Sequence, residues 1–216
     1  MEAGVWRNVC DANSGVVSNL RTHKYFGPRC RVFGIDINPH CKQLEEKQVE
    51  IFIGNQADRK FLRSLKEKIP RIDILIDDGG HEMEQQIRTY EELFPFIDEN
   101  GVYLCEDMHT SYWPVYGGGY RRRGTFVEYS KYFIDSINAW HSLQSRRLNV
   151  TEFTRSVHSL HYYDSVLVIE KRPIEKPGHL MTGTRTIPVF HPPRSLLKRI
   201  KDRWRREVER LARRSA

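Results

Sequence analysis

Short apolar runs that each stop at a polar or acidic turn recur along the first half of the chain, and that repetition restricts the fold more than any other feature. Arg31–Ile35 stops at Asp36-Ile37-Asn38-Pro39, and Val49–Ile53 stops at Gly54-Asn55-Gln56-Ala57-Asp58. Ile72–Ile76 runs into Asp77-Asp78-Gly79-Gly80-His81, and Val102–Cys105 runs into Glu106-Asp107. Runs of this length, bounded by Gly and turn residues, read as buried parallel strands. Helical spacing fills the gaps. Cys41–Lys47 is a short charged stretch, and Phe61, Leu62, Leu65 and Ile69 share a face before Pro70 stops them. Met83, Ile87, Tyr90, Phe94 and Ile97 form a further face, and Asn100-Gly101 turns the chain into the next strand. Strand–helix alternation of this kind predicts βαβ units, hence an α/β, Rossmann-like fold around a mostly parallel sheet.

The pattern breaks after Asp107. His109–Gly124 is a loop rich in Gly and aromatic residues, with Tyr112, Trp113, Tyr116, Tyr120 and the run Gly117-Gly118-Gly119. A loop of that length inside a domain points to function. A helix is expected from about Phe126 to His141. Phe153–Leu160 and Ser165–Glu170 then read as a late antiparallel hairpin. The expected organisation is a catalytic-type domain over residues 1–172, a Pro/Gly-rich linker over 173–193 and a helical tail over 194–216. In the tail, Leu197, Ile200, Trp204, Val208 and Leu211 stand three or four apart, as in an amphipathic helix.

Bulk properties narrow the function classes. A chain of 216 residues is long enough for one α/β domain of roughly 150–200 residues. No stretch approaches the ~18 apolar residues of a membrane span, and no signal-peptide core stands at the N-terminus, so a cytoplasmic protein is expected. The four cysteines (Cys10, Cys30, Cys41 and Cys105) are scattered, which favours reduced thiols over a zinc site or a disulfide framework. The net charge of +7 lies wholly in the tail, where residues 194–216 hold ten Lys/Arg against three Asp/Glu. The body is therefore near neutral and gives little support to a polyanion binder. The tail alone could contact nucleic acid or membrane, and a packed helix or a homo-oligomer contact explains it at least as well.

The acidic turns carry the chemistry. Ligands of open α/β sheets bind outside the carboxyl ends of the strands. Were the strands ending in Asp77-Asp78 and Glu106-Asp107 neighbours, their ends would lie about 5 Å apart. That much negative charge in one crevice is unfavourable unless a hard divalent cation such as Mg²⁺ relieves it. The paired glycines permit a tight turn, and His81, at the start of the following helix, is a candidate general base. Asp36 either accepts hydrogen bonds from the hydroxyls of a ribose or makes an Asx turn before Pro39. Asn55 and Gln56 stand where an adenine edge would be read, and Asp58 suits a helix cap. Asp77 either joins the cofactor contacts or supports the turn. The aromatic loop, with Tyr112 and Trp113 foremost, suits the wall of an acceptor site.

Several ordered motifs resemble one family. They are GIDINP (Gly34–Pro39), IFIGNQAD (Ile51–Asp58), IDDGGH (Ile76–His81), the helix around Met83–Phe94, and YLCEDMHTSYWP (Tyr103–Pro114) with the GGG that follows. Together they are similar to the class I S-adenosylmethionine-dependent methyltransferases that O-methylate deoxysugars on macrolides and other polyketides. That family includes the mycinamicin and rhamnosyl-tetracenomycin O-methyltransferases, with cephalosporin-hydroxylase-like relatives. The resemblance implies magnesium on Asp78, Glu106 and Asp107, and His81 as the base. It also implies S-adenosylmethionine as methyl donor and a glycoside or polyol as acceptor. Asn55 stands where the family usually has aspartate. The glycine loop that supports the methionine end of the cofactor falls on Glu2–Val5 or on Asp11–Gly15. The second choice makes Gly15 the loop glycine and Val9-Cys10 part of a short or irregular first strand. A truncated methyltransferase-like scaffold that binds the cofactor weakly is the alternative expectation.

Overall fold

The computed structural model describes the backbone of Arg7–Asn13 and residues 28–184, 186–190, 195 and 200–206. Seven strands form one sheet: β1 (Arg7–Asn13), β2 (Cys30–Asp36), β3 (Val49–Ile53), β4 (Ile72–Asp78), β5 (Ile97–Cys105), β6 (Val157–Tyr163) and β7 (Val166–Lys171). Their order is β3-β2-β1-β4-β5-β7-β6. The first five strands run parallel, while β7 lies antiparallel to both β5 and β6. The expected hairpin is therefore present, with its second strand inserted next to β5. Among the described residues, four α-helices accompany the sheet: α1 (Arg59–Lys68), α2 (Met83–Leu93), α3 (Phe126–Ile137) and the short α4 (Glu152–Ser156).

Alternation along the strands supplies two cores, because successive side chains point to opposite faces. Phe33, Ile35, Leu75, Tyr103 and Cys105 join Leu62, Leu65, Leu93, Phe126 and Phe133 in the larger core. Cys30, Val32, Cys41, Val49 and Ile51 make the smaller one on the other face. Cys30, Cys41 and Cys105 are buried and form no disulfide among the described residues.

Several boundaries differ from the sequence reading for identifiable reasons. The helix expected to reach Ile97 ends at Leu93, because Pro95 has no N–H to continue the ladder. Phe94–Phe96 tighten into a 3-10 turn, and Ile97 already pairs with Ile72. Asn100-Gly101 is not a turn between elements but an irregular stretch inside β5, where the register shifts between Ile72 and Ile74. A Cβ on Gly101 would stand 2.6 Å from the Asp73 carbonyl. Phe153–Leu160 is not all strand. Thr151 accepts from Thr154 N at 3.4 Å, and that cap starts α4 before β6 begins at Val157.

β1 also departs from expectation. Rather than short or irregular, it is a seven-residue strand paired on both sides, with Val9 facing Val32 and Ile74. Asp11 belongs to this strand. Glu2–Val5 and Gly15 lie outside the described residues. The first compact unit runs to Pro177 rather than 172. Arg172 N bonds Ser156 O at 2.8 Å and Ile174 N bonds Arg155 O at 2.7 Å, which holds that segment on the domain. In the second unit, Gly178–Ala216, residues 200–206 are helical with Ile200 and Trp204 exposed. No helix among the described residues is long and apolar enough to cross a membrane.

An ion-pair hub fastens α1 to α2. The buried Glu92 carboxylate accepts from Arg63 Nε and Nη2, each at 2.8 Å, and from Arg59 Nη1 at 2.9 Å. The Arg63 fork, helped by Arg59 and opposed by burial, holds the Glu92 carboxyl down at about 2. A folded-state pKa below the unfolded one stabilises above the ordinary carboxylate range, and the gain is lost as pH falls from about 4.5 to about 2. Because Arg63 is largely exposed, solvent screening tempers the effect. Glu92→Gln is expected to cost about 1–2 kcal/mol at pH 7. Urea titrations should show that difference shrinking toward pH 3, and an equal loss at both pH values would contradict the assignment.

Candidate active site at the carboxyl edge of the sheet

β4 and β5 are neighbours, with Asp77 opposite Cys105 and Glu106 N bonding Asp77 O at 3.0 Å. The two acidic turns therefore meet at the carboxyl edge, as their positions required. Ligand atoms of Asp78, His81 and Asp107 all lie within 4.8 Å of one another, and the three residues are partly buried. His81 Nε2 is 3.4 Å from Asp107 Oδ2 and 3.9 Å from Asp78 Oδ1. Glu106 sits beside this group. Burial first, then the charges of Asp78 and Asp107, push its carboxyl above the usual range. That is the electrostatic signature of a place that a cation would relieve.

The backbone carrying the group is unusual. Four non-glycine residues have positive φ among the described residues, and three of them converge here: His81 (56°), Asp107 (51°) and Ser165 (63°). Each costs roughly 1–2 kcal/mol for an L-residue. His81 precedes α2 rather than standing in its first turn, since Glu82 is the N-cap and its N–H bonds Gln85 Oε1 at 3.3 Å. A Cβ on Gly80 would lie 2.4 Å from that same Oε1, so a larger residue there would displace the Gln85 side chain from its bond to Glu82 N.

The expected cofactor residues separate into two groups. Asp36, Asn55 and Gln56 line a cleft with Ile37, Gly54 and Gly80 at the ends of β2, β3 and β4. Asp36 makes the Asx turn, accepting from Asn38 N at 2.7 Å, while still facing that cleft. Asn55 is exposed and caps its own loop through Ala57 N at 2.8 Å. Gln56 and Asp77 turn toward each other instead. Gln56 Nε2 donates to Asp77 Oδ1 at 2.6 Å and Thr89 Oγ1 at 2.9 Å, and Tyr103 donates to Asp77 Oδ2 at 3.1 Å. Only 1 % of Asp77 is exposed, and burial lifts its carboxyl to about 7 against the hydrogen bonds from Gln56, Tyr103 and the Gly79 backbone that lower it. Both carboxylate oxygens of Asp77 thus accept hydrogen bonds from within the fold beneath the turn, and the Gln56 side-chain nitrogen is already committed. The reason is alternation: Asp77 points inward from β4 where Asp78 points out.

The aromatic loop folds back on its own first turn. Gly118 approaches so closely that a Cβ would meet the Thr110 carbonyl at 2.4 Å, and Gly117 takes a φ of 77°. Trp113, about half exposed, packs edge-on against His109 at 4.6 Å, and Tyr112 is exposed.

Three residues absent from the expected set complete the site. His109 Nδ1 is 2.6 Å from Ser165 Oγ and 3.9 Å from Asp107 Oδ1. Ser165, in the β6–β7 turn, also accepts Met108 N at 2.9 Å through its carbonyl. Thr110, 2 % exposed, donates toward Asp107 O at 2.8 Å and His81 O at 3.2 Å. His109 and Thr110 lie inside the motif read from the sequence, but nothing local marks where they point. Ser165 arrives from a distant hairpin and has no sequence signal.

A sheet of this order, with an antiparallel β7 and an acidic site at its carboxyl edge, defines the class I methyltransferase fold. No protein-family model matches the chain. It is 34% identical over 157 residues to the 8-demethyl-8-alpha-L-rhamnosyl tetracenomycin-C 2'-O-methyltransferase of Streptomyces olivaceus, covering 71% of this chain and 41% of that protein. With the mycinamicin VI 2''-O-methyltransferase of Micromonospora griseorubida it shares 32% identity over 71% of this chain and 39% of that protein. The MycE methyltransferase of the mycinamycin pathway, solved with Mg and SAH, superimposes with a TM-score of 0.71 at 29% identity, over 78% of this chain and 46% of that one. A MycE structure that also holds mycinamycin VI gives 0.72 at 27% identity, over 92% and 50%. The chain thus has the class I methyltransferase fold and is similar in sequence to S-adenosylmethionine-dependent sugar O-methyltransferases over about seven-tenths of its own length. It spans only about two-fifths of the length of these curated relatives.

Proposed function

We propose that this chain is the catalytic domain of a magnesium-assisted, S-adenosylmethionine-dependent O-methyltransferase whose acceptor is a hydroxyl of a glycoside or other vicinal diol. The observation that carries the reading is the convergence of Asp78, His81 and Asp107 at the carboxyl edge, in a chain related to sugar O-methyltransferases. The donor set fits the metal, since carboxylate oxygens suit a hard cation, and the Glu106 carboxyl is raised by burial first and then by the charges of Asp78 and Asp107 beside it. Asp78 and Asp107 would hold magnesium, with Glu106 beside them as the third carboxylate. Asp36 and Asn55 would hold the adenosine portion of the donor in the cleft at the ends of β2 and β3.

Magnesium, when bound, supplies Lewis acidity toward the acceptor's hydroxyls, and S-adenosylmethionine supplies an activated methyl group. The chain's own residues do the rest. His81 Nε2 faces the site and takes the proton of the reacting hydroxyl. The resulting imidazolium is stabilised by Asp107 Oδ2 at 3.4 Å and Asp78 Oδ1 at 3.9 Å. Trp113, buttressed by His109, gives the acceptor a flat apolar wall that limits its orientations.

Isothermal titration with S-adenosylmethionine, with and without Mg²⁺, tests the reading. Saturable binding in the micromolar to low millimolar range is expected. No heat at millimolar cofactor would sink the enzyme and favour a scaffold.

A further inference from the structure

We propose that Thr110 is a positioning residue whose hydroxyl sets the separation of His81 and Asp107 by tying together the two left-handed backbones that carry them. The inference rests on the functional reading above and adds a residue that the acidic motif does not contain. His81 and Asp107 come from different strand ends, after β4 and after β5. Both adopt a positive φ that L-residues avoid. If either relaxed to negative φ, its side chain would swing away from the other. The Thr110 hydroxyl sits between them, 2.8 Å from Asp107 O and 3.2 Å from His81 O, and almost wholly buried.

Ordinarily the ring of a catalytic or ligating histidine is oriented by a hydrogen bond at its other nitrogen. Here His81 Nδ1 is buried and has no such partner among the described residues. The ring's direction is therefore set by its backbone and packing, and Thr110 is the side chain that donates to that backbone carbonyl. The neighbouring contacts give Thr110 a rigid seat. Gly118 packs on its carbonyl, and Trp113 N bonds that carbonyl at 2.9 Å. A buried hydroxyl on two carbonyls thus connects the base, one metal carboxylate and the aromatic loop.

The test compares Thr110→Val, which keeps the shape and removes the donor, with Thr110→Ser, which keeps the donor. The first readout is Mn²⁺ affinity by electron paramagnetic resonance on the full chain, well below the unfolding temperature. The second is kcat and KM for methyl transfer, each determined separately. Thr110→Val is expected to weaken Mn²⁺ binding about tenfold or more and to lower kcat with little change in KM. Thr110→Ser is expected to stay within about twofold of wild type, because it restores the donor. Unchanged Mn²⁺ affinity in the valine variant, or equal losses in both variants, would overturn the inference. If the valine variant does not fold, Thr110→Ala against Thr110→Ser makes the same comparison. Failure of the wild-type chain itself to bind Mn²⁺ would instead count against the proposed function.

Discussion

Replacing His81 by alanine is expected to lower methyl transfer to a glycoside acceptor by about 10²–10⁴-fold, the range for loss of a positioned general base. S-adenosylmethionine affinity should change little, since Asp36 and Asn55 line the cleft at the ends of β2 and β3 and the His81 side chain is not part of its lining. Two geometric facts argue for an effect of this size. Nε2 faces both Asp78 and Asp107, so the proton it gains stays beside two carboxylates. The other histidine of the site cannot simply replace it, because His109 Nδ1 is held by Ser165 at 2.6 Å on the far oxygen of Asp107. Steady-state kinetics with titration of the cofactor separate these quantities. Full turnover by the variant would remove His81 from the role of base.

Replacing Asp78 by alanine is expected to abolish measurable Mg²⁺ dependence and to reduce activity by about 10²-fold or more, as for loss of a catalytic metal ligand. The same change takes away one of the charges that hold the Glu106 carboxyl up, so Glu106 should titrate lower in the variant. In the metal-free wild type the sign is the opposite of that at Glu92. A carboxyl raised by folding stabilises while protonated, and the gain is lost as pH rises through its folded value. Added Mg²⁺ should therefore raise the thermal midpoint more at pH 8 than at pH 5. Mn²⁺ binding and melting curves at the two pH values check both statements. A variant that still binds Mn²⁺ like the wild type would exclude Asp78 as a ligand.

Much of this arrangement was legible in the residues because it depends on local order. The runs Arg31–Ile35, Val49–Ile53, Ile72–Ile76 and Val102–Cys105 lie within β2 to β5, and the helix expected after Asp58 begins where its side chain accepts Lys60 N at 2.8 Å. The misreadings share a cause. Met83 to Ile97 keeps helical spacing through Pro95, and Phe153 to Leu160 keeps apolar spacing through a capped turn. Periodicity records which residues face a core, and a helix and a strand can bury the same set. Asp77 and Asp78 show the limit at one step of the chain. Their identity and place were plain, but the inward turn of the first and the outward turn of the second follow from the pleat of β4 between β1 and β5.

The sequence by itself determined the alternating strands and helices, and hence which turns share one edge of the sheet and which carboxylates stand there, because periodicity and turn chemistry are written in neighbouring residues. Only the tertiary structure decided that β4 and β5 lie side by side and that His81 and Asp107 meet through left-handed backbones. It alone brought Thr110, His109 and Ser165 in behind them. Those contacts join residues up to 56 positions apart, and such proximity is set by packing across the whole sheet rather than by any local pattern.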